Sequence, residues 1–274
     1  MNCMEVWGGN RTSENHIARP GLDIWTWSRS VGVDETAGND LHLLSSCASG
    51  RITRMLLAEV CGDGTAFREI AEDLRELMKR NVNSVQQERF VGEMSRRLVG
   101  ASQRGGFATT LISTYFAPTR SFNLCNAGHP PPLLFRAPSQ EWSVLKQAPA
   151  DLSPAKAPLG VVDLGEYQQF KTKLDVGDMV LSFSNVLTEC RNTNGRVLGL
   201  EGVLNRVQQL RSQEPSNLVT DLVTLIQSEH TDNLATDDAT ALLCRATETK
   251  VAWRDNVLAL FRLLRAVSDK TRIE

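Results

Sequence analysis

Leu56-Leu57-Ala58-Glu59-Val60-Cys61-Gly62-Asp63-Gly64 reads as a buried strand, Met55 to Ala58, that runs out at an acid and then turns sharply. A Gly-x-Gly step lets the backbone reverse and gathers carbonyls and side chains at one edge of a sheet. Two carboxylates there, Glu59 and Asp63, can hold a hard divalent cation through oxygen. An ordinary strand-to-helix turn uses the same residues, with Asp63 favoured by the helix dipole. The stretch alone leaves both readings open, and the ordinary turn is the simpler one.

The flanking sequence adds a partner. Leu41–Cys47 and Arg51–Glu59 are apolar runs around Ala48-Ser49-Gly50, the pattern of a hairpin. Antiparallel pairing of these arms sets Asp40, at the start of the first, beside Glu59, at the end of the second.

Further along, Phe67, Ile70, Ala71, Leu74, Leu77 and Met78 recur at helical spacing, as do Phe90, Met94, Leu98 and Val99. Ala108–Phe116 and Ser121–Cys125 form a second expected hairpin. Leu133–Phe135, Tyr167–Leu174, Met179–Phe183 and Ala239–Cys244 are expected strands, and Glu201–Leu210 and Asn217–His230 expected helices. Residues 137–165 read as loop. Near the N-terminus, Met4–Trp7 and Leu22–Trp27 are short β-like runs. Helices grouped in blocks among hairpins predict an α+β fold with antiparallel sheets.

Composition bounds the function. At 274 residues the chain can build one large domain or two small ones, and no linker splits the first 247. A net charge of -2 argues against a dedicated nucleic-acid binder. No apolar run reaches the ~18 residues of a transmembrane span, and the N-terminus lacks a basic, then apolar, signal pattern. Cys3, Cys47, Cys61, Cys125, Cys190 and Cys244 show no Cys-x-x-Cys pair, which fits reduced thiols in a cytoplasmic protein. The tail, 248–274, is a separate unit. Val257, Leu260, Phe261, Leu264 and Val267 form an apolar stripe amid Arg254, Arg262, Arg265, Lys270 and Arg272, predicting an amphipathic helix over 250–272. Such a helix packs on the domain, pairs with a partner or second copy, or touches an acidic membrane surface.

Asp40, Glu59, Asn185 and Asp237 each stand at the end of an expected strand. With the local wording, they give the chain a family likeness. Asn126-Ala127-Gly128-His129-Pro130-Pro131-Pro132-Leu133-Leu134 and Asp237-Asp238-Ala239-Thr240 resemble motifs of the SpoIIE-like branch of the PPM-type metal-dependent protein serine/threonine phosphatases. Leu159-Gly160, Gly177-Asp178 and Thr188-Glu189 also fall in place, so the resemblance covers about residues 36–246. It implies a β-sandwich of two antiparallel sheets flanked by helices, with two Mn²⁺ or Mg²⁺ ions at one edge. It also implies a metal-activated water that attacks a phosphoserine or phosphothreonine on a regulatory protein, such as an anti-sigma-factor antagonist. The implied ligand positions are Asp40, Glu59, the Val60 carbonyl, Asp63, Asn185 and Asp237.

The departures fall on those positions. The family's Asp-Val-Ser-Gly-His-Gly becomes Glu59-Val60-Cys61-Gly62-Asp63-Gly64, one methylene longer at the first acid. Its Tyr-Thr-Asp-Gly becomes Phe183-Ser184-Asn185-Val186, a carbonyl oxygen without charge. Gly38-Asn39-Asp40 keeps the acid, and Asp63 adds one where the family has His. The sequence thus predicts a phosphatase of reduced metal affinity, with a phosphoprotein-binding module that has lost turnover as its rival. His129, among prolines, is expected to brace a turn, and His42 to be solvated. Trp7, Trp25 and Trp27 are expected on core or sheet faces, and Arg104-Gly105-Gly106 makes a poor phosphate loop.

Overall fold

Along the strand that carries Glu59, Met55 and Leu57 face one way and Leu56, Ala58 and Val60 the other, and all five are buried. Apolar side chains on both faces require a layer above and below, which makes this sheet internal to a four-layer stack. The structure is a computed structural model. It describes residues 6–31, 39–47, 50–61, 64–82, 87–102, 106–145, 158–159, 169–210 and 213–248. Gly38, Gly62, Asp63, Arg104, Gly105 and the expected helix over 250–272 lie outside the described residues.

The elements run β1 (Val6–Gly9), β2 (Ser13–Arg19), β3 (Leu22–Arg29), β4 (Asp40–Ser46), β5 (Ile52–Cys61), α1 (Gly64–Arg80), α2 (Gln87–Ser102), β6 (Phe107–Phe116), β7 (Ser121–Ala127), β8 (Leu133–Arg136), β9 (Glu141–Val144), β10 (Gln169–Lys173), β11 (Met179–Phe183), α3 (Val186–Glu189), α4 (Gly199–Gln209), α5 (Pro215–Glu229) and β12 (Ala239–Ala246). One six-stranded sheet has the order β1-β4-β5-β6-β7-β10, the other β2-β3-β12-β11-β8-β9, and every pairing within them is antiparallel. Leu44, Met55, Leu57, Leu111 and Phe122 from the first sheet meet Ile24, Val180 and Leu242 from the second. Helices α1 and α2 cover the outside of the first sheet through Leu74, Phe90 and Met94, while α4 and α5 cover the second through Val203, Leu218 and Leu222. This is the α+β sandwich that the sequence predicts.

Three elements depart from the expectation. Residues 137–165 are not all loop, because Glu141–Val144 pairs with β8 and Trp142 is buried against Phe135. A four-residue edge strand is too short for periodicity to reveal. Strand β2 likewise escapes notice, since its mostly exposed, polar residues carry no alternation. Strand β5 continues through Glu59 to Cys61, paired with Phe107. His42 is also buried, not solvated, at 3% exposure. Its register places it on the same face as Asp40 and Leu44, and burial pushes its imidazole down to about 4. The tryptophans behave as expected, with Trp25 and Trp27 against the outer core of the second sheet and Trp7 against the core between sheets.

Away from the strand ends that carry Asp40 and Glu59, Asp178 is wholly buried and saturated with donors. Its carboxylate accepts from Arg136 at 2.6 Å and from the backbone N–H groups of Ala137 and Asp175, each at 2.9 Å. This explains the Gly177-Asp178 pair as a structural lock joining β8 to β11. Asp178→Ala, which strands those donors, is expected to cost about 3 kcal/mol in urea unfolding. Asp178→Asn, which keeps one accepting oxygen, is expected to cost less.

Candidate metal centre

The site is built from strand ends. In the β4–β5 register Asp40 lies directly opposite Glu59, as the hairpin reading requires. Alternation turns both side chains toward the second sheet, because their neighbours Leu41, Ala58 and Val60 pack under the helices. Across the gap, β11 ends at Phe183 and β12 begins at Ala239, and these two strands pair with each other. That pairing brings Ser184-Asn185 and Asp237-Asp238 to the same edge. The result is a cavity of about 290 Å³ lined by Val31, Asn39, Asp40, Glu59, Val186, Glu189, Thr236, Asp237 and Asp238. Acids almost two hundred residues apart in the chain thus share one pocket.

The pocket's two inner acids, buried Asp40 and half-buried Glu59, are each half satisfied. Asp40 is 4% exposed and accepts from the hydroxyls of Ser184 and Thr240, yet its Oδ2 has no partner. Those hydroxyls belong to a seam between strands: Thr240 Oγ1 meets Ser28 Oγ at 3.2 Å, and the Thr240 N–H donates to Ser184 Oγ at 3.0 Å. Burial, reinforced by Glu59 and Asp238, pushes Asp40 from 3.8 up to about 8 against those hydroxyls. Glu59 accepts from the backbone N–H of Asn185, and its Oε2 is bare. Burial raises its pKa too, and the charges of Glu189 and Asp237 add to the effect. A buried carboxylate oxygen without a donor is costly. Two of them facing one acidic cavity are relieved by a hard cation, so the donor set fits Mn²⁺ or Mg²⁺. Among the described residues no three His, Cys, Asp or Glu side chains close around a single point, so the acids line the pocket without forming a finished shell.

The other expected ligands are placed as follows. Asp237 is exposed at the pocket's rim. Val60 is buried on the helix side, its N–H donating to the Asn39 carbonyl at 2.9 Å. Asn185 adjoins the pocket through its backbone: its N–H serves Glu59, and its carbonyl accepts from Thr188 Oγ1 at 2.7 Å. Its side chain makes no capping bond to α3.

Two acids that the ligand reading leaves out prove important here. Asp238 spends its carboxylate on backbone, accepting from Val31 N–H at 2.8 Å and from Asn39 N–H. It therefore ties the end of β3 and the start of β4 to β12. Glu189 lines the pocket from α3, and only the Thr188-Glu189 motif hinted at it. His129 braces the site as expected. Its imidazole Nδ1 lies 3.0 Å from Thr109 Oγ1, and Thr109 is the residue opposite Glu59. Asn126 closes the turn by accepting from the His129 N–H and donating to its carbonyl, each at 2.8 Å, with Gly128 at a φ of 76°. Burial holds His129 down at about 3, against the Phe183 backbone, so it is a neutral strut and not an acid catalyst.

The family model for Stage II sporulation protein E (SpoIIE) matches residues 49–247. The chain belongs to the SpoIIE family. Among curated relatives, the phosphoserine phosphatase RsbU of Bacillus subtilis is 26% identical over 170 residues, covering 61% of this chain and 47% of RsbU. This chain thus spans about half the length of that relative. Among solved structures, the RsbU and RsbW domains of a Mycobacterium tuberculosis protein superpose with a TM-score of 0.69 at 21% identity, over 85% of this chain and 63% of that one. RsbX in complex with magnesium gives 0.61 at 15% identity, over 86% of this chain and all (100%) of RsbX. At these identities the structural likeness is one of fold, and the fold is that of the PPM-type phosphatases. Among the described residues no helix is long and apolar enough to cross a membrane.

The raised acid has a measurable sign. In the metal-free fold Asp40 keeps its proton up to about pH 8, whereas the unfolded chain releases it near 3.8. The folded state binds the extra proton across that interval, so stability falls as pH rises through it. Thermal melts in EDTA are expected to show Tm declining from about pH 5 to about pH 8. Asp40→Asn should flatten the decline, and Mn²⁺ should oppose it.

Proposed function

We propose that this chain is a metal-dependent protein phosphatase that hydrolyses phosphoserine or phosphothreonine on a regulatory protein. A phosphorylated anti-sigma-factor antagonist is the class of substrate expected. The observation that carries this reading is the Asp40–Glu59 pair, each acid with one oxygen held by the protein and one bare in a cavity shared with Asp237. The RsbU relative, a phosphoserine phosphatase, and the magnesium bound to RsbX support it.

Asp40, Glu59 and Asp237 would hold Mn²⁺ or Mg²⁺, which when bound acidifies a water and neutralises phosphoryl oxygens. The chain's own contribution is placement. Ser184, Thr240 and the Asn185 N–H fix one oxygen each of Asp40 and Glu59, and Asp238 holds the strand start that carries Asp40. His129 and Thr109 stiffen the wall behind Glu59.

Asn185 favours a second reading, a phosphoprotein-binding module without turnover, because it puts a neutral amide where the resemblance implies an acid. Purified protein with Mn²⁺ and a phosphoserine peptide separates the two. The enzyme reading expects Mn²⁺-dependent phosphate release that falls by about a hundredfold or more in Asp40→Asn and Asp237→Asn. Absence of release together with absence of Mn²⁺ binding by calorimetry overturns it. A large gain from near zero in Asn185→Asp with Glu59→Asp supports the silent module instead.

A further inference from the structure

We propose that Glu189 supplies the carboxylate that Asn185 withholds, acting as a cation-binding acid in the pocket of Asp40, Glu59 and Asp237. The inference rests on the metal-dependent reading above and identifies a residue that it does not use. Asn185 already has helical backbone angles, φ -54° and ψ -36°, and α3 follows it for a single turn, Val186–Glu189. The N–H of Glu189 donates to the Asn185 carbonyl at 3.2 Å, so the two residues stand one above the other, four positions apart. A carboxylate lost at the first position can be returned to the same side of the turn at the second, and Glu has the longer arm.

The turn is held firmly enough to present that arm. Leu187 is fully buried beneath it, Thr188 Oγ1 is bonded to the Asn185 carbonyl, and Cys190 Sγ lies 3.2 Å from the Val186 carbonyl. Asn185 cannot take the role through its backbone, which is committed to Glu59 and to the turn. Glu189 lines the pocket, is exposed, and its carboxylate makes no hydrogen bond or ion pair among the described residues. An independent observation marks the same cavity as lacking a positive partner: the bare Oδ2 of Asp40, on a side chain 4% exposed. An acid left facing the carboxylates of Asp40 and Glu59 raises the cost of the empty pocket. It lowers the energy of a filled one, since affinity for hard dications follows the number of ligand charges.

The test is calorimetric titration of the full chain with Mn²⁺, for wild type, Glu189→Gln, Asn185→Asp and the double variant. Glu201→Gln on α4 serves as a surface-charge control. Glu189→Gln is expected to weaken Mn²⁺ binding by about tenfold, and the double variant to recover most of it. Asn185→Asp alone should gain little. Because the Glu189 side chain makes no bond in the fold and its charge repels Glu59, Glu189→Gln should melt above wild type in EDTA and lose that advantage in Mn²⁺. Unchanged Mn²⁺ affinity in Glu189→Gln, a loss equalled by Glu201→Gln, or a double variant no tighter than Glu189→Gln overturns the proposal while leaving the phosphatase reading intact. A wild-type chain that binds no Mn²⁺ overturns both.

Discussion

Like charges set directly opposite one another on adjacent strands repel, and the repulsion grows when the strands end in a poorly solvated cleft. Asp40 and Glu59 are in that arrangement, fixed by a register that cannot slip. Shifting β4 by one residue would turn Leu41 and Leu43 out of the helix-covered core and put polar side chains in their place. The apolar faces therefore hold the acids together against their own electrostatics. Protonation of Asp40 or capture of a cation relieves the repulsion.

The surrounding residues share the work according to what they can donate. Hydroxyls and one backbone N–H reach the inner oxygens of the acids, while neutral His129 and Thr109 add rigidity without charge. Asp238 makes its contribution by bridging strands, which explains why two adjacent aspartates at the start of β12 behave so differently. One is exposed at the pocket and the other is tied to backbone donors. Asp178, satisfied on every side, shows what a purely structural acid looks like in the same fold.

Much of this was legible in the residues because the signals were strong ones. The β4–β5 hairpin, the helical stripes of α1 and α2 and the acids at strand ends follow from period and turn chemistry, and the likeness to the phosphatase family from motif wording. Strands β2 and β9 were not legible, being a polar edge and a four-residue edge whose existence depends on neighbours across the sheet. The burial of His42 depended on which face of β4 turned inward. Glu189 was hidden for another reason. The single turn of α3 is too short to show a period, and only its position over Asn185 brings its carboxylate to the pocket.

The clasp made by Asp238 reaches beyond the pocket. One carboxylate grips the chain at Val31 and again at Asn39, so both points are anchored to the start of β12. A single side chain thus staples two separate points of the backbone, and its loss would loosen both together, leaving Asp40 with one fewer guide toward Glu59.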